Sequence, residues 1–136
     1  MKLNHTILVL VIVLVGTSGC LSSDLEETVY VDASSAGKEV ELSLGDTLVI
    51  TLNSNPTTGF RWNLTEMSDG SVLRLSGNEF EPPEASDPPL VGAGGREVWT
   101  FNAIKAGSSI ISMEYSRPWE EETEPAETFN LTIVVK

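Results

Sequence analysis

Apolar residues in this chain recur at every second position in short runs, and no segment holds a helical period for three turns. Leu48, Ile50 and Leu52 alternate through DTLVITLN (46–53), Val40, Leu42 and Leu44 alternate with Glu39, Glu41 and Ser43, and Phe129, Leu131, Ile133 and Val135 alternate near the end. A two-residue period is that of strands with one face buried. RWNLTE (61–66), VLRLS (72–76), REVWTFNAI (96–104) and SSIISMEYS (108–116) are further strand candidates, with Trp62 and Trp99 as core residues. Gly45-Asp46 and Ala106-Gly107-Ser108 supply tight-turn signals between neighbours. The pattern predicts an all-β fold, an immunoglobulin-like antiparallel β-sandwich of seven to eight strands, in a single domain over 28–136.

The amino-terminal part reads differently. MKLNHTILVLVIVLVGTSGC has Lys2 in a short polar head, an apolar run over 7–15, and small residues leading to Cys20. This is the form of a secretion signal over 1–19, too short in its apolar run for a comfortable membrane span. Gly16, Thr17, Ser18 and Gly19 resemble the approach to a lipoprotein cleavage site, which makes Cys20 the expected lipidation site and the polar, acidic stretch over 20–27 a tether. The expected location is outside the cytoplasm, as a membrane-anchored lipoprotein on the cell surface or in the periplasm. Removing 19 residues from 136 leaves 117, enough for one domain with a core. Cys20 is the sole cysteine, so no internal disulfide forms and stability rests on packing and hydrogen bonds.

Composition excludes several function classes. The formal net charge is −12, and −13 once Lys2 is lost, which argues against nucleic acid because phosphate binding needs clustered Lys and Arg. Acids gather in EFEPPEASD (79–87) and WEEETEPAE (119–127), which read as solvated surface. The only histidine, His5, lies in the signal, which removes Ser-His-Asp and Cys-His catalysis and leaves no expected metal site or cofactor. Paired carboxylates could hydrolyse a glycoside, yet these acids sit in proline-interrupted stretches without aromatic platforms. GAGG, with Gly92, Ala93, Gly94 and Gly95, is no phosphate cradle: neither Lys-Ser/Thr nor a helix follows, and acids precede it.

Three connections are longer or more elaborate than turns require: NPTTGF (55–60), the stretch over 77–95 that ends in GAGG, and SRPWEEETEPAE (116–127). In the first, Pro56 presets its own φ and holds Asn55 extended, Gly59 can supply a positive φ, and Phe60 offers an apolar anchor. Thr57 and Thr58 have few χ1 options, so ordering them against a partner costs little entropy. Taken alone, the hexamer reads as a rigid connection and nothing more. The glycines of GAGG are either a flexible loop return or a backbone that something large can approach. Arg117-Pro118-Trp119 is more telling, since Trp and Arg are enriched in binding hot spots and the glutamates at 120, 121 and 122 argue that Trp119 is exposed. With strands running up and down in order, all three loops emerge at one end.

NPTTGF, GAGG and RPW, in this order and at these strand spacings, resemble the chagasin-type inhibitors of papain-like cysteine peptidases, over a span from about Val40 to the end of the chain. The resemblance implies a monomeric, reversible, non-enzymatic inhibitor. Asn55, Pro56, Thr57, Thr58, Gly59 and Phe60 would enter the peptidase cleft at its catalytic cysteine and histidine, Gly92 to Gly95 would lie along the unprimed groove, and Arg117, Pro118 and Trp119 would pack on the primed side. An immunoglobulin-like surface adhesin or ligand-binding lipoprotein would share the sandwich and the anchor, but would not require these three motifs together.

Overall fold

The structure is a computed structural model and describes residues 25–85, 88 and 92–136. The expected signal over 1–19, Cys20 and the tether up to residue 24 lie outside the described residues, as do positions 86, 87 and 89–91 of the proline-rich stretch before GAGG.

Eight strands follow in chain order: β1 (Thr28–Val31), β2 (Glu39–Leu42), β3 (Thr47–Ser54), β4 (Arg61–Met67), β5 (Leu73–Glu81), β6 (Gly95–Ala103), β7 (Gly107–Ser116) and β8 (Glu127–Val135). They form two four-stranded sheets, ordered β1-β3-β6-β5 and β2-β8-β7-β4. The all-β sandwich expected from the alternation is present. Four pairings are antiparallel (β3–β6, β5–β6, β4–β7 and β7–β8), whereas β1 pairs parallel with β3 and β2 parallel with β8. Parallel neighbours need a crossover between them. Here β2, lying in the opposite sheet, is the crossover between β1 and β3, a relation that periodicity does not encode.

Alternation becomes core wherever a strand has neighbours on both sides. β3 buries Leu48, Ile50 and Leu52, and its partner β6 buries Trp99, Phe101 and Ala103, with Leu48 opposite Phe101 and Ile50 opposite Trp99. In the facing sheet Ile111 lies opposite Leu131 and Met113 opposite Phe129. These cross-strand pairs are the units that hold each sheet, and their inner faces pack into one core. Trp62 and Trp99, each 5% exposed, belong to it as expected.

Two details depart from the sequence pattern. Leu44, read as the third inward residue of a strand, is 57% exposed. The strand stops at Leu42 because Ser43 to Asp46 close a turn: Asp46 N–H donates to the Ser43 carbonyl at 3.0 Å and Ser43 N–H donates to Asp46 Oδ2 at 2.9 Å. Val72, just ahead of β5, and Leu73, its first residue, are both buried, and the register of β5 slips between Leu75 and Gly77, so alternation fails along this edge. The register of β4, an edge strand of the second sheet, slips between Leu64 and Glu66. Bulges of this kind are common at sheet edges, where they disturb the row of free backbone groups.

Asp46 is the main polar fastening at the end of the sandwich away from the three loops. It is buried, and Oδ1 accepts the Glu27 N–H at 2.9 Å while Oδ2 accepts that of Ser43. Asp46→Ala strands both donors and is expected to lower unfolding free energy by about 2 kcal/mol. Urea unfolding measures it; a loss under about 0.5 kcal/mol would show that the turn closes without this carboxylate.

Candidate functional site

The connection over 55–60 carries the chain from β3 in one sheet to β4 in the other. Asn55 is extended, as a residue before proline tends to be, and Pro56–Thr58 wind into a single 3-10 turn. Asn55 Oδ1 accepts from Thr57 N–H at 3.2 Å and from the Thr57 hydroxyl at 2.6 Å, while the Thr58 hydroxyl donates to the Asn55 carbonyl at 2.6 Å. Gly59 closes the turn at φ +84°, donating to the Pro56 carbonyl at 3.0 Å. The two threonines therefore brace the tip as well as forming it. With their protons held by Asn55, the hydroxyls can act toward a partner only as acceptors.

The remaining polar groups of Asn55 reach outward to the other elements. Its Nδ2 donates to the Gly92 carbonyl at 2.9 Å, and its backbone N–H donates to the Tyr115 hydroxyl at 2.9 Å. Tyr115 lies opposite Trp62 in the β4–β7 ladder, with its ring 5.3 Å from that of Phe60 and 5.2 Å from that of Trp62. Sequence reasoning assigned Tyr115 no role. Its only signal was position, an aromatic residue at the end of a strand just ahead of Arg117.

Arg117 ties the third loop to the first. Its Nε donates to the Thr58 carbonyl at 3.0 Å, its guanidinium carbon lies 4.4 Å from the centre of the Phe60 ring, and its Nη1 pairs with Glu120 at 3.1 Å. A planar, delocalised cation suits this combination of stacking and hydrogen bonding. Glu120 thus differs from Glu121 and Glu122, which are exposed and have no ion pair among the described residues. Trp119 is 68% exposed, in line with the sequence reading, and its ring lies against Gly59: a Cβ on that glycine would collide with the indole. Gly59 is needed for its backbone angle and for this contact.

GAGG has an internal reason for part of its composition. Gly95 opens β6 opposite Ser54, and a Cβ there would collide with the Glu81 carbonyl and the Phe80 ring. That glycine is required by the neighbouring strand. Gly92 presents its carbonyl to Asn55, and Gly94 packs against the Ser54 carbonyl and Asn55. The sequence-expected residues over 55–60, 92–95 and 117–119 thus gather at one end of the sandwich, cross-connected by Asn55 and Arg117.

The sandwich presents three loops at one end, with the first joined to the second through Asn55 and to the third through Arg117. Comparison with known proteins gives its family. The profile described as Chagasin family peptidase inhibitor I42 matches residues 41–133, and the chain belongs to that family. It is 33% identical over 98 residues to Chagasin of Trypanosoma cruzi, covering 70% of this chain and 86% of that protein. It is 29% identical over 97 residues to Amoebiasin-2 of Entamoeba histolytica, covering 71% and 76%. The crystal structure of the cysteine protease inhibitor EhICP2 from Entamoeba histolytica matches with a TM-score of 0.73 at 25% identity, over 82% of this chain and 97% of that one. The chain is a member of a peptidase-inhibitor family and not an enzyme.

Tyr115→Phe keeps the ring contacts and removes the acceptor of the Asn55 N–H. The expected cost is about 1 kcal/mol of stability, with faster amide exchange at Asn55 and little change at core amides such as Ile111 beyond the global loss. Unchanged exchange at Asn55 would show that its N–H does not depend on Tyr115.

Proposed function

We propose that the domain over 28–136 is a reversible, non-covalent inhibitor of papain-like cysteine peptidases that fills the active-site cleft with its three loops. In this reading Asn55 to Phe60 enter at the catalytic centre, Gly92 to Gly95 lie along the groove as an added strand would, and Arg117, Pro118 and Trp119 pack on the opposite side. Support comes chiefly from one observation: Asn55 and Arg117 brace all three loops against one another in the free chain. Loops already ordered lose little entropy on docking. Family membership, and the cysteine protease inhibitor among the similar structures, point to the same peptidase class.

The tip also suits a plug that is not consumed. Residues 56–58 are wound into a 3-10 turn, unlike the extended backbone of a bound substrate, so no peptide bond there is aligned for attack. Trp119 supplies an exposed aromatic surface that docking can bury. We further propose that Cys20 is lipidated and that the protein works outside the cytoplasm, held at a membrane on the cell surface or in the periplasm. The motif carrying this is the small-residue approach to Cys20 after an apolar run.

Inhibition of papain, with trypsin and a metallopeptidase spared, is the expected outcome of a peptidase panel. No inhibition of papain, or equal inhibition of trypsin, overturns the reading. Trp119→Ala should weaken binding by about 2 kcal/mol, near thirtyfold, mostly through faster dissociation, with an almost unchanged thermal midpoint. Unchanged inhibition by Trp119→Ala would remove the indole from the contact.

Cys20→Ser should lose acyl mass and membrane fractionation while keeping its inhibition constant. Mass spectrometry and fractionation, read beside the same papain assay, separate anchoring from inhibition. An acyl-free wild-type protein would end the lipoprotein proposal, and a Cys20→Ser protein unable to inhibit would make the anchor part of the mechanism.

A further inference from the structure

A cleft on the flank of the sandwich reaches the first loop at Pro56. It opens between the edge strands β4 and β5, has a volume of about 760 Å³, and is lined among others by Trp62, Leu64, Leu75, Phe80, Glu97 and Trp99. Glu97 is the unusual member. It occupies an inward position of β6 opposite Leu52, is 7% exposed, and accepts the Trp62 N–H on Oε2 at 2.9 Å. Among the described residues no Lys or Arg pairs with it, Arg61 included although it also lines the cleft: the ion pairs are Arg96 with Glu81, Arg117 with Glu120 and Lys136 with Glu41. A carboxylate withdrawn from water with one hydrogen bond and no cation is costly, and the cost falls when a cation reaches it.

The surroundings select the kind of cation. Two indoles and a phenyl ring line the cleft, and aromatic faces attract organic cations. Ca²⁺ and Mg²⁺ require a shell of oxygen ligands built on several carboxylates, and although Ser54, Asn63, Asn78 and Glu79 also line the cleft, no group of three metal-ligating side chains gathers among the described residues. Trp99 and Ser54, both lining residues and both buried, carry an indole N–H and a hydroxyl without hydrogen-bond partners among the described residues, so the polar groups of this region are incompletely matched there. The net charge of −12 favours the approach of cations over anions. We propose that the β4–β5 cleft binds a small organic cation, a primary ammonium or guanidinium on a short apolar stem, with its charged head at the Glu97 carboxylate and its stem against Trp62, Trp99 and Phe80.

The test needs no peptidase, so it stands or falls independently of the inhibitory reading. Butylguanidinium is titrated into the isotope-labelled protein while the three indole N–H resonances are followed by NMR, with 1-butanol as the neutral probe. The indoles of Trp62 and Trp99 should shift saturably with the cation and not with the alcohol, while Trp119, on the loop surface, should stay still. Butylammonium should compete. Glu97→Gln retains an acceptor for the Trp62 N–H and should weaken binding at least tenfold. Absence of a saturable shift, an equal response to butanol, equal movement of Trp119, or undiminished binding by Glu97→Gln each overturns the proposal. Should Glu97→Gln not fold, Leu75→Trp, which fills the cleft from its edge strand, must abolish the shifts, and persistence of binding in that variant is equally fatal.

Discussion

Asn55 stands where the chain passes from one sheet to the other, and its hydrogen bonds connect the first loop to the second and to β7. Its side-chain oxygen holds the 3-10 turn, its amide nitrogen reaches Gly92, and its backbone N–H reaches Tyr115. Each bond alone contributes on the order of 1 kcal/mol. Their joint effect is geometric, because one residue is fixed from three directions and ties the first loop both to the second and to β7. Arg117 adds a second connection from the far side, to the Thr58 carbonyl and the Phe60 ring.

The sandwich makes that arrangement possible. Loops 55–60, 82–94 and 117–126 join strands whose paired ends lie close together: Ser54 faces Gly95, Arg61 faces Ser116, and Tyr115 faces Glu127. Ladder register therefore sets the starting points of the loops, and the stack of Phe60, Tyr115 and Trp62 fills the space beneath them. Rigidity at the tip is continuous with rigidity in the core, through Trp62, which is both a core residue and Tyr115's neighbour. The exposed Trp119 rests on this base with its ring against Gly59, held in place yet open to solvent.

Polar groups at the two ends and on the flank of the molecule differ in how completely they are satisfied. Asp46 at one end and Asn55 at the other have several partners each, as expected of groups that organise a fold. Glu97, Ser54 and Trp99 do not: one carboxylate oxygen holds a single backbone N–H, and a hydroxyl and an indole N–H have none among the described residues. All three line the cleft between β4 and β5, which makes that flank the place where the chain alone leaves its buried chemistry unfinished.

The amino-acid sequence by itself determined the class of fold and the residues that gather at the loop end, because both are local. A period of two in Leu48, Ile50 and Leu52 records that one face of a strand is buried, and Pro56, Gly59 and Trp119 mark a stiff tip and an exposed aromatic whatever their neighbours are. Periodicity failed where burial was not uniform along a strand, at Leu44 beyond a turn and at Val72 and Leu73 on an edge. Only the tertiary structure decided the parallel pairing of β1 with β3 and of β2 with β8, the demand of β5 for a glycine at 95, the bracing role of Tyr115, and the inward position of Glu97 without an ion pair among the described residues. Each of these depends on a partner tens of residues away in the chain. A one-dimensional pattern carries the preferences of a residue, whereas the identity of its distant partner is settled by how two sheets pack.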